Sequence, residues 1–288
     1  MKKLWSKLKE FAKKNIALLI TIGFSILFLI LWLYFAEEIL LEDLWVNLLA
    51  GFIASICTIT VIDNILKKQI EKDNLPLKLA MYRDVQLFVS RLISLWQEMY
   101  VQSVVLEKKL LISELFTSEN INKIYTQLDL EGFPNVTPRQ NWFNYIDNAQ
   151  RDLCERGNKI LDRYIKFNEP ELMQAIHHTI NDSAFIGSLE VVNRIRISDE
   201  LYNIPRCPIL EFHIPPPSNT DFEMINCLFE WCRFQYKILS IDYKVYAIEE
   251  AVVVINPNTS PNSVMTQEKI NQKNDEYNNW VKATMTGT

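Results

Sequence analysis

Residues 16–35 read IALLITIGFSILFLILWLYF, and residues 44–62 read LWVNLLAGFIASICTITVI. Neither run holds a charge. At about 1.5 Å rise per residue, about twenty helical residues cover the roughly 30 Å hydrocarbon core of a bilayer. A buried hairpin in a soluble domain rarely needs two such runs in tandem, so the pair predicts two transmembrane helices. A cleaved signal peptide would have a shorter apolar core followed by small residues at a cleavage site. Here Ala36-Glu37-Glu38 and a second apolar run follow instead. The first run is therefore expected to stay in the chain.

Flanking charges set the expected orientation. Lys2, Lys3, Lys7, Lys9, Lys13 and Lys14 precede the first run, and Lys67, Lys68 and Lys72 follow the second. The connector, residues 36–43, carries Glu37, Glu38, Glu42 and Asp43 and no basic residue. Positive charge at both outer ends predicts that the N- and C-termini are both cytoplasmic. Trp32, Tyr34 and Trp45 sit beside the acidic connector, as in an aromatic belt at the far interface. Leu4, Trp5, Leu8, Phe11 and Ala12 share one face of the basic opening segment, so residues 1–15 are expected to lie in the inner headgroup layer.

The remainder reads as helices. Pro76 opens a stretch in which Leu77, Met81, Val85, Phe88, Leu92, Leu95 and Met99 step by three and four. Thr137-Pro138-Arg139-Gln140 resembles a capping box before Trp142, Ile146, Ala149, Leu153, Ile160, Tyr164 and Phe167. Asn168 and Pro170 interrupt the chain before Leu172, Ile176, Thr179, Leu189, Val192 and Ile195. Thr220 with Glu223 forms a second box before Ile225, Phe229, Cys232, Tyr236, Leu239, Tyr243 and Tyr246. A short helix is expected near Glu119–Leu128, and Ala251–Ile255 either alternates as a strand or ends the last helix. The proline-bearing connection 197–219 is longer than most in a compact bundle, so it is expected to be functional or ordered against a partner. The fold class is thus all-α, with a transmembrane hairpin over 16–62 (spans 16–35 and 44–62). A cytoplasmic helical domain over 63–255 and a polar tail over 256–288 complete it.

Chemistry-bearing patterns are sparse. The few glycines between residue 64 and the last residues spell neither a P-loop nor a dinucleotide fingerprint. Adjacent His177 and His178 point about 100° apart on a helix, which suits one buried and one solvated ring better than a ligand pair. Cys207, His213, Cys227 and Cys232 lack the Cys-x-x-Cys spacing of a zinc knuckle. No catalytic residue, cofactor or metal is expected, and the chain is read as a non-enzyme. The five cysteines form no paired framework and are expected to be reduced. The chain carries a net charge of −5. That balance argues against direct nucleic-acid binding, which needs clustered positive charge.

The second apolar run carries the site residues. Ala50/Ala54 and Gly51/Ser55 are small-xxx-small pairs that let helices approach closely. Asn47, Ser55 and Thr58 are polar groups for such a contact or for a polar path. Asp63 stands at the inner mouth, as a ring position in a homo-oligomer or as a solvated interface residue. Packing against Gly23 and Ser25 of the first run is the alternative for the small residues. Two helices from one protomer cannot enclose a pore, so any channel would need several copies.

A lysine-rich N-terminus, a two-span hairpin, Val61-Ile62-Asp63 leading into charged residues, then Pro76 and Tyr82-Arg83-Asp84-Val85 resembles bacterial two-span membrane effectors. Some belong to anti-phage systems encoded beside retron reverse transcriptases. The resemblance is one of layout, covers about the first hundred residues, and carries no catalytic residue. It implies an effector restrained by a protein or ribonucleoprotein partner, such as a reverse transcriptase with its RNA/DNA. On release such an effector permeabilises the inner membrane. A membrane-tethered helical scaffold with passive spans is the alternative.

Overall fold

The computed structural model describes residues 26, 30, 42–104, 110–167, 169–248, 252–253 and 263–286. The opening segment, most of the first apolar run and most of the acidic connector lie outside these. So do the side chains of residues 44–46, 48, 49, 53 and 57 within the second run. Among the described residues no helix is long and apolar enough to cross a membrane.

The described residues are mainly helical. In chain order they form α1 (Glu42–Ser103), β1 (Leu110–Leu111), α2 (Ile112–Leu115), α3 (Ser118–Gln127), α4 (Trp142–Tyr164) and α5 (Pro170–Asn181). Then follow α6 (Leu189–Tyr202), a 3-10 turn at Leu210–Phe212, α7 (Asn219–Leu239), β2 (Val252–Val253) and α8 (Gln267–Thr286). The chain divides into two units, Met1–Leu77 and Lys78–Thr288. The packed unit therefore starts later than residue 63 and includes the tail.

In the second unit, α1 supplies the spine. Met81, Val85, Phe88, Leu92, Leu95, Trp96 and Met99 are each at most 3% exposed. Leu77, which shares their spacing, is 44% exposed. Pro76 does not open this helix; it lies inside α1. The i, i+3, i+4 pattern marks where a helix is covered, which need not be where it begins. Around the spine, α5 packs on α7 and α4, and α4 packs on α6. Trp96 stacks on Tyr125 with centroids 6.2 Å apart and meets Phe185 edge-on at 5.2 Å. Its Nε1 donates to the Phe185 carbonyl at 3.1 Å, so the indole enters the core with its polar atom satisfied.

Three local readings shift. The periodic run from Leu172 to Ile195 is two helices, because Ser183, Ala184, Phe185 and Ile186 form a buried turn between α5 and α6. Backbone bonds from Asp182 and Ser183 to the His178 carbonyl, and from Ser188 to the Ser183 carbonyl, satisfy that turn internally. A Cβ at Gly187 would lie 2.5 Å from the Asn181 backbone, so the turn closes only on glycine. The second correction concerns α4, which is capped by Asn141 accepting from the Asn144 amide, not by Thr137. Finally, α7 is capped by a reciprocal Ser218/Asp221 box two residues before the expected Thr220/Glu223 pair. In both helices the true cap is a residue with extended backbone directly before the first turn.

The C-terminal part is threaded into the bundle. Ser263 is 1% exposed; its amide donates to the Gln102 carbonyl, and its carbonyl accepts from Asp129. Its hydroxyl oxygen accepts from Trp142 Nε1 at 2.9 Å. The polar tail is helical, as α8. Within the strand-like stretch the described Val252–Val253 pair antiparallel to Leu110–Leu111.

Candidate functional site

The N-terminal part of α1 holds every residue singled out in the second apolar run. Asn47, Ala50, Gly51, Ala54, Ser55, Thr58 and Asp63 are all helical and exposed. At about 100° per residue the first six fall within an arc of about 140°, with Asp63 about 80° beyond its edge. Asp63 therefore does not share the small-residue face. A Cβ built on Gly51 meets nothing within 4 Å, so that face is open. The hydroxyls need no neighbour: Ser55 Oγ donates to the Gly51 carbonyl and Thr58 Oγ1 to the Ala54 carbonyl, both at 2.8 Å. Thr60 Oγ1 does the same to the Ile56 carbonyl at 2.7 Å. Such i−4 bonds let a helix carry hydroxyls in an apolar medium without orphaned donors.

Large apolar side chains of the same stretch are also uncovered. Ile59, Val61, Ile62, Ile65, Leu66 and Ile70 are 46–57% exposed. Fully burying one such side chain is worth about 1.5–3 kcal/mol relative to exposure, so this helix carries a large apolar surface left uncovered among the described residues.

The bundle carries features that no sequence motif announced. The 203–218 connection is ordered against the chain itself. Arg206 grips Asp199 at the end of α6 through Nε to Oδ2 at 2.8 Å and Nη2 to Oδ1 at 3.3 Å. It also donates to the Phe212 carbonyl and stacks over Tyr277 of α8 at 5.9 Å. A polar cleft of about 400 Å³ opens beside this clasp, with Phe143, Arg196, Glu200 and His213 on its walls. His213 is 7% exposed, with Nδ1 2.8 Å from the Ile209 carbonyl. Burial pushes its pKa below the usual 6.5, so it sits as a neutral donor to that carbonyl. These groups lock the loop.

The two adjacent histidines divide unevenly. His177 is exposed. His178 is half-buried, with Nε2 2.8 Å from Asp221 Oδ1, and so ties α5 to the cap of α7. The four described cysteines are free. Burial raises the Cys207 thiol to about 11 and the Cys232 thiol to about 12, which makes both poor nucleophiles. Cys207 packs with Ile209 and Met265 while Cys232 lies in the main core, so the imagined zinc quartet is not assembled. Among the described residues no group of three or more His, Cys, Asp or Glu side chains is placed to hold a metal ion.

The site and fold together define a helical bundle whose longest helix extends into an uncovered apolar segment. Compared with known proteins, the chain matches no family model, no curated protein and no solved structure.

Proposed function

We propose that the chain is a membrane effector: its two apolar runs cross a bacterial inner membrane as a hairpin, and the helical bundle restrains them through a protein or ribonucleoprotein partner. Release would let the second spans cluster and permeabilise the membrane, the behaviour expected of an anti-phage defence effector. One observation carries this reading. The apolar side chains of Ile59, Val61 and Ile62 in the second run are exposed, while the hydroxyls of Ser55, Thr58 and Thr60 are satisfied by the run's own backbone. A bilayer, or a second copy within it, is the medium in which such a surface costs nothing. The charge-free lengths of 16–35 and 44–62 and the lysines at their outer ends support the same topology.

The test is expression of the full chain without partners in bacteria, read with a potential-sensitive dye. Depolarisation within one generation is expected. Gly51→Leu should abolish it while leaving membrane insertion and helix content unchanged, because no described residue approaches that position. Normal potential at high expression sinks the reading. The second reading, a tethered scaffold with passive spans, predicts that replacing 16–62 by an unrelated two-span hairpin preserves function.

A further inference from the structure

A second cleft, of about 610 Å³, lies within the bundle unit between α1 and the segment after α7. Its walls are Leu79, Tyr82 and Leu87 on one side and Tyr243 and Val245 on the other. The far wall is tied in place by one strong contact: Tyr82 Oη donates to the Tyr246 carbonyl at 2.6 Å. Tyr82 is itself fixed by stacking on Trp231, 6.4 Å between centroids. Burial, first, pushes its hydroxyl to about 12, so it remains a donor throughout the physiological range.

The polar lining is one-signed. Arg83 and Lys244 both face the cleft, and no carboxylate lines it among the described residues. The nearest acid in sequence, Asp84, is turned to Tyr164 and Arg163 at 2.9 and 3.2 Å. The volume falls in the range of small-molecule sites, about 300–1,000 Å³, and such sites are mostly apolar with a few placed polar groups. An apolar trough with two cations at its rim matches one chemistry: a single amphiphile with a hydrocarbon chain and an anionic head. The same charge disfavours the chain's own lysine-rich opening segment as occupant.

We infer that this cleft binds one anionic lipid-like molecule, such as a long-chain carboxylate, with the chain along Leu79, Leu87 and Val245 and the head between Arg83 and Lys244. The inference does not depend on the effector reading, since it concerns the bundle alone.

Native mass spectrometry of the full chain in a neutral maltoside, titrated with oleate, tests it. One oleate per chain is expected to survive, with zwitterionic lysophosphatidylcholine of the same chain length retained far less. Arg83→Gln with Lys244→Gln should lower retention on the order of tenfold, the loss of charge-assisted hydrogen bonds. Arg83→Lys should keep most of it, and Lys237→Gln, outside the lining, should change nothing. Leu79→Trp, which fills the trough without moving charge, should abolish retention while far-UV circular dichroism stays native. Equal retention by the double variant or by Leu79→Trp overturns the proposal, as does equal retention of the zwitterionic lipid. Capture of an acidic peptide with no retention of oleate overturns it in favour of protein docking.

Discussion

Gly157, in the middle of α4, stands where α4 and α5 approach closely. A Cβ there would lie 2.7 Å from Ile180 Cγ2, 3.2 Å from Ile180 Cδ1 and 3.5 Å from Phe88 Cε2. Carbon pairs are most favourable at about 3.5–4.0 Å, so the Ile180 side chain would have to retreat by almost an ångström. Ile180 and Phe88 are 3% and 0% exposed, so both lie within the packed core. Two effects then oppose each other in Gly157→Ala. Helix propensity favours alanine by about 1 kcal/mol. Overpacking a well-filled core costs about 1–3 kcal/mol, so the net expectation is a loss of about 0–2 kcal/mol.

The decisive measurement is made in a second background. Ile180→Ala removes the obstructing Cγ2 and alone costs about 2–5 kcal/mol. With that atom gone, Gly157→Ala should change sign and stabilise by about 1 kcal/mol, its propensity gain alone. The coupling in a double-mutant cycle is then about 1–3 kcal/mol. Denaturant unfolding of the full chain in maltoside, followed by fluorescence of buried Trp96 and Trp142, reads all four proteins. If Gly157→Ala is equally destabilising with and without the Ile180 methyl, the close approach of α4 and α5 is not what glycine serves.

Other outcomes follow from single contacts. Asp199→Ala leaves the Arg206 guanidinium partly buried without its carboxylate and should cost about 3 kcal/mol, the low end for breaking a buried pair. Hydrogen exchange in the 203–218 loop should rise with it. Ser218→Ala removes half of the α7 capping box and should cost about 1 kcal/mol in thermal unfolding. For His213, whose folded pKa is below 6.5, the unfolded chain binds more protons as pH falls. Its contribution is intact above pH 6.5 and lost as pH drops through the lowered folded value. Unfolding midpoints measured from pH 7.5 to 5 should therefore decline, and less steeply in His213→Gln. An unchanged slope in that variant refutes the assignment.

How much of this was written in the sequence differs from element to element. Helical periodicity located the spine of α1 and the buried faces of α4 and α7, because burying an i, i+3, i+4 stripe is what a covered helix requires. It could not separate α5 from α6. Their residues share one helical spacing, and the break depends on Phe185 finding an aromatic pocket made by Trp96, Phe116 and Phe222. Caps were misplaced by a few residues for a related reason. Several Ser, Thr and Asn residues precede each helix, and the one used is fixed by the direction from which the chain enters.

The second apolar run was legible as a charge-free segment from composition alone, and α1 carries it as one continuous helix with its small residues on one face. The clasp of Arg206 on Asp199, the insertion of Ser263 beneath Trp142, and the one-signed cleft of Arg83 and Lys244 had no local signature. Each joins residues that are remote in sequence or meet through a loop, and their chemistry arises only when packing brings the partners within hydrogen-bonding distance. Hydropathy and periodicity are properties of neighbours along the chain, so the sequence by itself determined the helices and their apolar faces. Pairing and enclosure are properties of neighbours in space, and only the tertiary structure decided those.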